Sequence, residues 1–483
     1  MHRARVPLAR LLAPALLATT FALASPPLVS AAAETFGTPL RPFSAQSPWN
    51  ARPVGPVLGD FEIPRSTYFP GLIEGTWSTG IFLAAASDKP MAVYPLPGRP
   101  GVWDPDAEAV HDSIVIPRWP AGVIPASGSD GHADIVDPIS GVVHSFFELR
   151  FIDGKWRTGQ YAWTRLDGRG WGEPGHYFQG ARAAAVPTMG GVIRTHEASD
   201  GDKLFRHALA VSLTFNGLSA NPPYVFPATS ADRGFEKNTG RIPEGALLML
   251  PPEYDTTRIQ DERLRKVAET LKVFGAYVVD RNEGTPFAIY VENGTHLNIH
   301  KGGWNNDAAR ELDRMRAALR QVVKVDGWLD GNGAPMQMEQ RLNLLSMRGP
   351  WKLMNGERGP GVFDTHAQAV SFPPGNGKVT QSNNLGNVLH PVTWAQPRPG
   401  ALYRLTAHAT GGATMRLQLF DSGSFQAKLY DSGELIDGKA VEFRWPEGQR
   451  GVSLIASSGG TAAPSSVRGD LVAVEPPAPA LQR

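Results

Sequence analysis

The chain has 483 residues, 42% of them apolar and 9% aromatic, with 52 Gly, 42 Pro and no Cys. That length exceeds one ordinary core and that composition is of a folded protein, so two or three domains are expected and wholesale disorder is excluded. A formal net charge of +1 offers no basic stripe for nucleic acid, and the lack of Cys excludes thiol catalysis, thiolate metal sites and dependence on disulfides.

Residues 1–33 have a basic start (Arg3, Arg5, Arg10), then a run of Leu and Ala, then Ala31, Ala32 and Ala33 before Glu34. This reads as a secretory signal peptide, which implies a secreted or periplasmic protein. Pro and Ser interrupt the run and no second apolar span follows, so no membrane span is expected. Without the signal the chain is slightly acidic. Residues 34–60, rich in Pro and Gly, predict an extended N-terminal arm in which Trp49 is a packing anchor.

Residues 61–330 read as a large, mainly β domain of sandwich or jelly-roll type with one or two packed helices. Short apolar runs recur between turn residues at 80–84, 91–96, 113–116, 192–194, 209–215, 224–226 and 246–250. One helix is predicted over 259–274, where Leu264, Val267, Leu271 and Phe274 share a face and Gly275 ends it. A second is predicted over 307–323, with Leu312, Met315, Leu319 and Val322 on one side. Between them, residues 280–284 read as a turn. Residues 331–360 look like a connector. Residues 361–475 return to alternating strands and predict a small β-sandwich, a candidate carbohydrate-binding module or a spacer, before a tail at 476–483.

The densest chemistry lies at 129–150. Two strand-like runs flank the turn Asp137-Pro138-Ile139-Ser140-Gly141, and their arms carry Asp130, His132, Asp134, His144, Glu148 and Arg150. Alternation puts His132 and Asp134 on one face, and His144, Phe146, Glu148 and Arg150 on another. A three-residue loop with Gly141 as a bulge would merge the two sets, whereas a four-residue loop would set Val143, Ser145 and Phe147 beside His132 and Asp134. A second cluster combines Arg182, Arg194, His196, Glu197 and His207. Loop aromatics between 156 and 178, chiefly Trp163, Trp171 and Tyr177, suit stacking on sugar rings.

These groups point to a polysaccharide substrate and to cleavage of its glycosidic bonds. Hydrolysis needs one protonated and one ionised carboxyl, for which Asp134, Glu148 and Glu197 are candidates. Elimination on a uronate-containing glycan needs a neutral base and a cationic stabiliser, for which His132, His144, His207 and Tyr177 with Arg182 and Arg194 are candidates. Hydrolysis is preferred because three carboxylates lie close to the histidines. The expected catalytic set is therefore His132, Asp134, His144, Glu148, Glu197 and His207. The expected substrate-binding set is Arg182, Arg194, His196, Trp163, Trp171 and Tyr177. No cofactor is expected, and a divalent metal on His132, Asp134 and His144 is the lesser alternative because the spacing matches no closed ligand set. A glycan-binding or envelope protein without catalysis is the reading from a different class. Phosphate-cradling loops, the Gly-x-Ser-x-Gly elbow and His-Glu-x-x-His are absent from the sequence.

Overall fold

The computed structural model describes residues 35–297, 299–300, 303–383 and 388–474. The predicted signal at 1–33 and the tail at 476–483 lie outside them.

The architecture is mainly β, as the turn-rich pattern implies. A six-stranded sheet contains β1 (Gly80–Leu83), β2 (Ala133–Asp137), β3 (Val142–Phe147) and β4 (Gln160–Arg165) in that order, continued by Val102–Asp104 and Ala109–His111. β1 runs parallel to β2, and β2–β3 and β3–β4 are antiparallel. A seven-stranded mixed sheet holds β5 (Leu209–Thr214), β6 (Leu247–Met249), β7 (Ala276–Asn282) and β8 (Phe287–Tyr290), with Val57–Leu58, Arg320–Lys324 and Gly71–Ile73 completing it. At its centre β5 is parallel to β7 and antiparallel to β8.

Three cores define the layers of this body. Val93, Ile116, Ile135, Phe146 and Tyr161 fill the space between the six-stranded sheet and a four-stranded sheet. Val136 and Val143, on the other face of the six-stranded sheet, meet Ala210, Tyr277, Val279 and Tyr290 of the seven-stranded one. Leu209, Val211 and Val278 point the opposite way, onto two helices, α1 (Glu262–Val273) and α2 (Asn306–Ala318). Strand alternation thus gives the seven-stranded sheet two buried faces.

Both helices start at side-chain caps. Asp261 accepts from the backbone N–H groups of Arg263 and Leu264, and Asn305 from those of Asp307 and Ala308, satisfying otherwise orphaned donors. Gly275, at φ +75°, follows α1 as the sequence implies. The second helix is shorter than predicted. It stops at Ala318, and the β-branched pair Val322 and Val323 continues as the strand Arg320–Lys324, paired to β6. Tertiary pairing overrides the helical spacing there.

Beyond residue 341 two five-stranded antiparallel sheets pack face to face over Leu405, Leu417, Phe443, Leu454 and Leu471, a β-sandwich. Leu344, Leu345, Met347 and Trp351, upstream of its strands, bury in the same core.

Candidate functional site

The β2–β3 register is Asp134↔Ser145 and His144↔Ile135, which fixes a four-residue loop at 138–141. The hairpin polar groups therefore do not merge onto one face. His132 and Asp134 face the seven-stranded sheet. His144 faces the other way, where its Nδ1 lies 2.8 Å from the Tyr161 hydroxyl. This separates His132 and Asp134 from His144 both as a catalytic set and as a metal-ligand set. Among the described residues no group of three or more His, Cys, Asp or Glu is placed to hold a metal.

Individually these groups are also committed to the framework. Asp134 is fully buried and accepts from the Met189 backbone N–H at 2.5 Å, and burial raises its carboxyl to about 6. Burial lowers His144 to about 3, so it is a neutral imidazole. Glu148 leaves the strand at φ +59° and pairs with Arg99 at 2.6 Å.

His132 instead reaches the edge of a second, larger constellation. Burial and the nearby Arg182 charge lower it to about 3. Arg182 extends from a loop whose backbone closes on itself, with its N–H donating to the Val186 carbonyl. Gly180 is required in that loop, because a Cβ there would lie about 2 Å from the Val186 and Pro187 backbone. The guanidinium is 1% exposed, stacks 3.7 Å from the Tyr290 ring and pairs with Asp280 at 3.1 Å. A buried charge persists only with such partners.

Asp280 lies at the bulge in β7 where the register shifts opposite Val211 and Ser212. The sequence pattern predicts a turn at 280–284, but β7 runs on to Asn282. Two further carboxyls meet it. The Asp232 side chain hydrogen-bonds to Asp280 and also accepts from the Arg281 N–H. Glu244 accepts from the Asp232 N–H at 3.0 Å. Burial and the Asp280 charge raise Asp232 to about 8, and burial and the Asp232 charge raise Glu244 well above the carboxyl range. Both effects favour the protonated form of Asp232, beside the Asp280 side chain that Arg182 holds. Asp130 carries a carboxyl raised by burial and then by the Asp280 charge. Arg150 positions its loop by donating to the Gly128 and Ser129 carbonyls.

Access differs within the cluster. Arg182, His132 and Glu244 are at most 2% exposed, whereas Asp130, Asp232 and Asp280 are half-buried. Arg182 Nε and Nη2 and Glu244 Oε2 have no hydrogen-bond partner among the described residues. Buried polar atoms without partners are uncommon in folded proteins, and these lie behind the half-buried carboxyls, which are the groups a ligand can reach.

The second predicted cluster does assemble, though apart from Arg182. Arg194 pairs with Glu292 at 3.0 Å and Glu197 with His207 at 3.1 Å. With Trp49, Arg41 and Arg206, the residues Arg194, Glu197 and His207 line a narrow cleft of about 30 Å³. His196 is exposed at its side. Burial would raise Glu197, but the His207 charge and hydrogen bond prevail and bring it down to about 2. Burial would lower His207, but Glu197 prevails and raises it. His207 also places Nδ1 2.9 Å from the Ala208 carbonyl, so both ring nitrogens act as donors. This is a structural ion pair in place of the catalytic base expected of His207. A raised His contributes stability that is lost as pH climbs through its folded pKa, and a depressed Glu contributes stability that is lost as pH falls below its ordinary value. Glu197→Gln is thus expected to cost most near about pH 5.5 and less near about pH 9, by urea unfolding at both. An equal cost at the two values would show that the pair is not ionic.

The three aromatic residues assigned to sugar stacking are occupied by protein. Trp171 stacks on Trp49 at 5.3 Å and donates to the Ala184 carbonyl. Trp163 packs against His176 and His366 and donates to Thr365 of the C-terminal sandwich. Tyr177 stacks on His390 at 4.6 Å and beneath the Arg348 guanidinium. Their period-2 and loop positions put them in cores and seams, so ring faces expected to be open are closed.

No protein-family model matches the chain. No curated protein matches it either. Among solved structures it is similar to a glycosylation-associated protein complex from Streptococcus agalactiae, at 12% identity and a TM-score of 0.18, over 23% of this chain and 39% of that one. It is similar to a carbohydrate-binding module described in complex with β-1,4-galactotriose, at 19% identity and a TM-score of 0.14, over 21% of this chain and 68% of that one. It is likewise similar to a family 4 carbohydrate-binding module, at 18% identity and a TM-score of 0.14, over 27% of this chain and 90% of that one. The chain spans well under half the length of the first of these, and similarity at this level identifies no family.

Proposed function

We propose that the protein is exported, binds a polysaccharide over the Asp130–Asp232–Asp280 opening and hydrolyses its glycosidic bonds. The observation that carries this reading is the meeting of carboxyls at a partly open edge, with Asp232 beside the Arg182-paired Asp280 and accepting from the Arg281 N–H; burial and the Asp280 charge favour its protonated form. In the proposed step Asp232 gives its proton to the glycosidic oxygen as the bond to the anomeric carbon breaks. Water adds to that carbon and passes a proton to Asp130, whose raised basicity suits the task. Asp280 is a positioning residue whose charge keeps Asp232 protonated. Export rests on the basic, apolar and small-residue pattern of residues 1–33, and among the described residues no helix is long and apolar enough to cross a membrane.

Elimination has one observation in its favour: a neutral His132 beside Arg182. Both are shut from solvent, while the open groups are carboxyls, so hydrolysis is the better reading. Incubation with neutral and uronate-containing polysaccharides separates the two. New reducing ends without the ultraviolet absorbance of unsaturated uronate are expected, and both signals together would favour elimination. Neither signal across the panel would leave glycan binding without catalysis. Cleavage is further expected to fall on the alkaline side as Asp232 deprotonates, giving a limb near about pH 8 in kcat/KM. A profile flat to about pH 10 would reject Asp232 as the acid.

A further inference from the structure

Among the exposed aromatic side chains, which also include Trp77, Phe151, Phe215 and Phe235, one group is braced by its neighbours. Tyr68 is 62% exposed, Phe69 53% and Trp304 60%. Single exposed aromatics are ordinary, but Trp304 is both open and held. One face of its indole stacks on His300, with ring centroids 4.5 Å apart and 10° between the planes. Its Nε1–H donates to Asn306 Oδ1 at 2.6 Å, and the Phe69 ring lies 5.6 Å away. A flat apolar surface braced in one orientation loses little entropy when a ring stacks on it.

This surface is tied to the site by short connections. The Tyr68 N–H donates to the Gly284 carbonyl, and the Gly284 N–H to Thr214 at the end of β5. Asn282 accepts from the Thr285 N–H and donates to Ser212, two residues beyond Asp280. The rings therefore stand at the end of the seven-stranded sheet where β5 and β7 finish and where Asp280 sits.

We propose that Trp304, with Phe69 and Tyr68, is a stacking shelf for a neutral pyranose unit of the same glycan, several units from the bond that is cut. The identity of the ligand as a sugar rests on the hydrolytic reading above. The C–H face of a pyranose is apolar and flat while its rim is hydroxylated, matching an open indole. The ion-paired Asp307 and Arg310, both largely exposed at the start of α2, offer partners for the hydroxyls. Three side chains fall far short of the roughly 20–30 residues a side of a stable protein interface.

The test uses the full chain carrying Asp232→Asn, so that binding is read without turnover. Affinity electrophoresis in gels containing xylan, galactan or glucomannan would compare this background with added Trp304→Ala or Phe69→Ala. At least one polysaccharide is expected to retard the parent, and Trp304→Ala is expected to weaken that retention about tenfold, with Phe69→Ala smaller. Both positions are exposed, and matching melting temperatures would confirm that the fold is kept. Unchanged retention in Trp304→Ala would overturn the shelf, as would no retention of the parent by any of the three. Sedimentation with phosphatidylcholine vesicles that depends on Trp304 would also overturn it, in favour of a lipid surface. Because retention is independent of cleavage, loss of the shelf leaves the hydrolytic reading standing, and absence of reducing ends leaves a retained shelf as a binding site.

Discussion

Asp232→Asn is expected to slow glycosidic cleavage by about 10²–10⁴-fold, the usual worth of a positioned proton donor. The amide keeps the shape of the carboxyl and its acceptor oxygen for the Arg281 N–H, so the fold is expected to survive. Asp280→Asn should act differently, because Asp280 is assigned to hold the proton on Asp232 and not to transfer one. Removing its charge eases the ionisation of Asp232, so the alkaline limb of kcat/KM is expected to move to lower pH. Glu148→Gln, which touches only the Arg99 pair, should keep near-full activity. Loss of cleavage in Glu148→Gln with retention in Asp232→Asn would return the chemistry to the β2–β3 hairpin and reject the cluster. A pH limb that does not move in Asp280→Asn would remove Asp280 from the mechanism.

The two halves of this prediction were unequally legible in the sequence. The β-rich build, the C-terminal sandwich and α1 follow from local periodicity, because the apolar faces of Leu264, Val267 and Leu271 repeat at helical spacing. The hairpin was visible too, but its register was not. A change of one loop residue decides whether His144 joins His132, and nothing in Pro138-Ile139-Ser140-Gly141 alone settles it. The parallel pairs β1–β2 and β5–β7 join segments more than fifty residues apart, and no local pattern announces them.

The acid cluster was missed for the same reason. Asp130, Asp232, Glu244 and Asp280 are spread over 150 positions and share no spacing. Asp232 and Glu244 come from a Pro-rich loop region where carboxyls are expected to be solvated. One signal was present in Asp280, a carboxyl closing the strongly apolar run Ala276–Val279, where an acidic residue is costly without a partner. Arg182 stands among the candidates the sequence offers, but nothing local to it points to Asp280, 98 positions away, as its partner. For the aromatics the error ran the other way. Trp163, Trp171 and Tyr177 look exposed in a Gly-rich stretch and are instead held by other protein rings, while Trp77, Tyr68 and Trp304 are open though no local pattern marks them.

Arg182 is the residue on which the cluster depends for stability, and Arg182→Met is expected to destabilise the protein by about 3–5 kcal/mol at neutral pH. This is the range for removing one partner of a buried ion pair. Methionine fills similar space, so the loss reports charge more than volume. At roughly 2–4 °C per kcal/mol, the melting temperature should drop by about 6–20 °C. The sign of the pH dependence separates this account from simple packing. The guanidinium charge works against the raised carboxyls of Asp130 and Asp134, so without it their pKa values in the folded state rise further above their unfolded values. A folded state that binds more protons than the unfolded one gains stability as pH falls and loses it as pH rises. The deficit of Arg182→Met relative to the parent should therefore shrink at about pH 5 and grow at about pH 8, by urea unfolding at each. A deficit equal at both values would mean that Arg182 contributes only its stack on Tyr290. Double substitution of Arg182→Met with Asp280→Asn should restore part of the loss, since the stranded carboxylate is what the single substitution leaves behind.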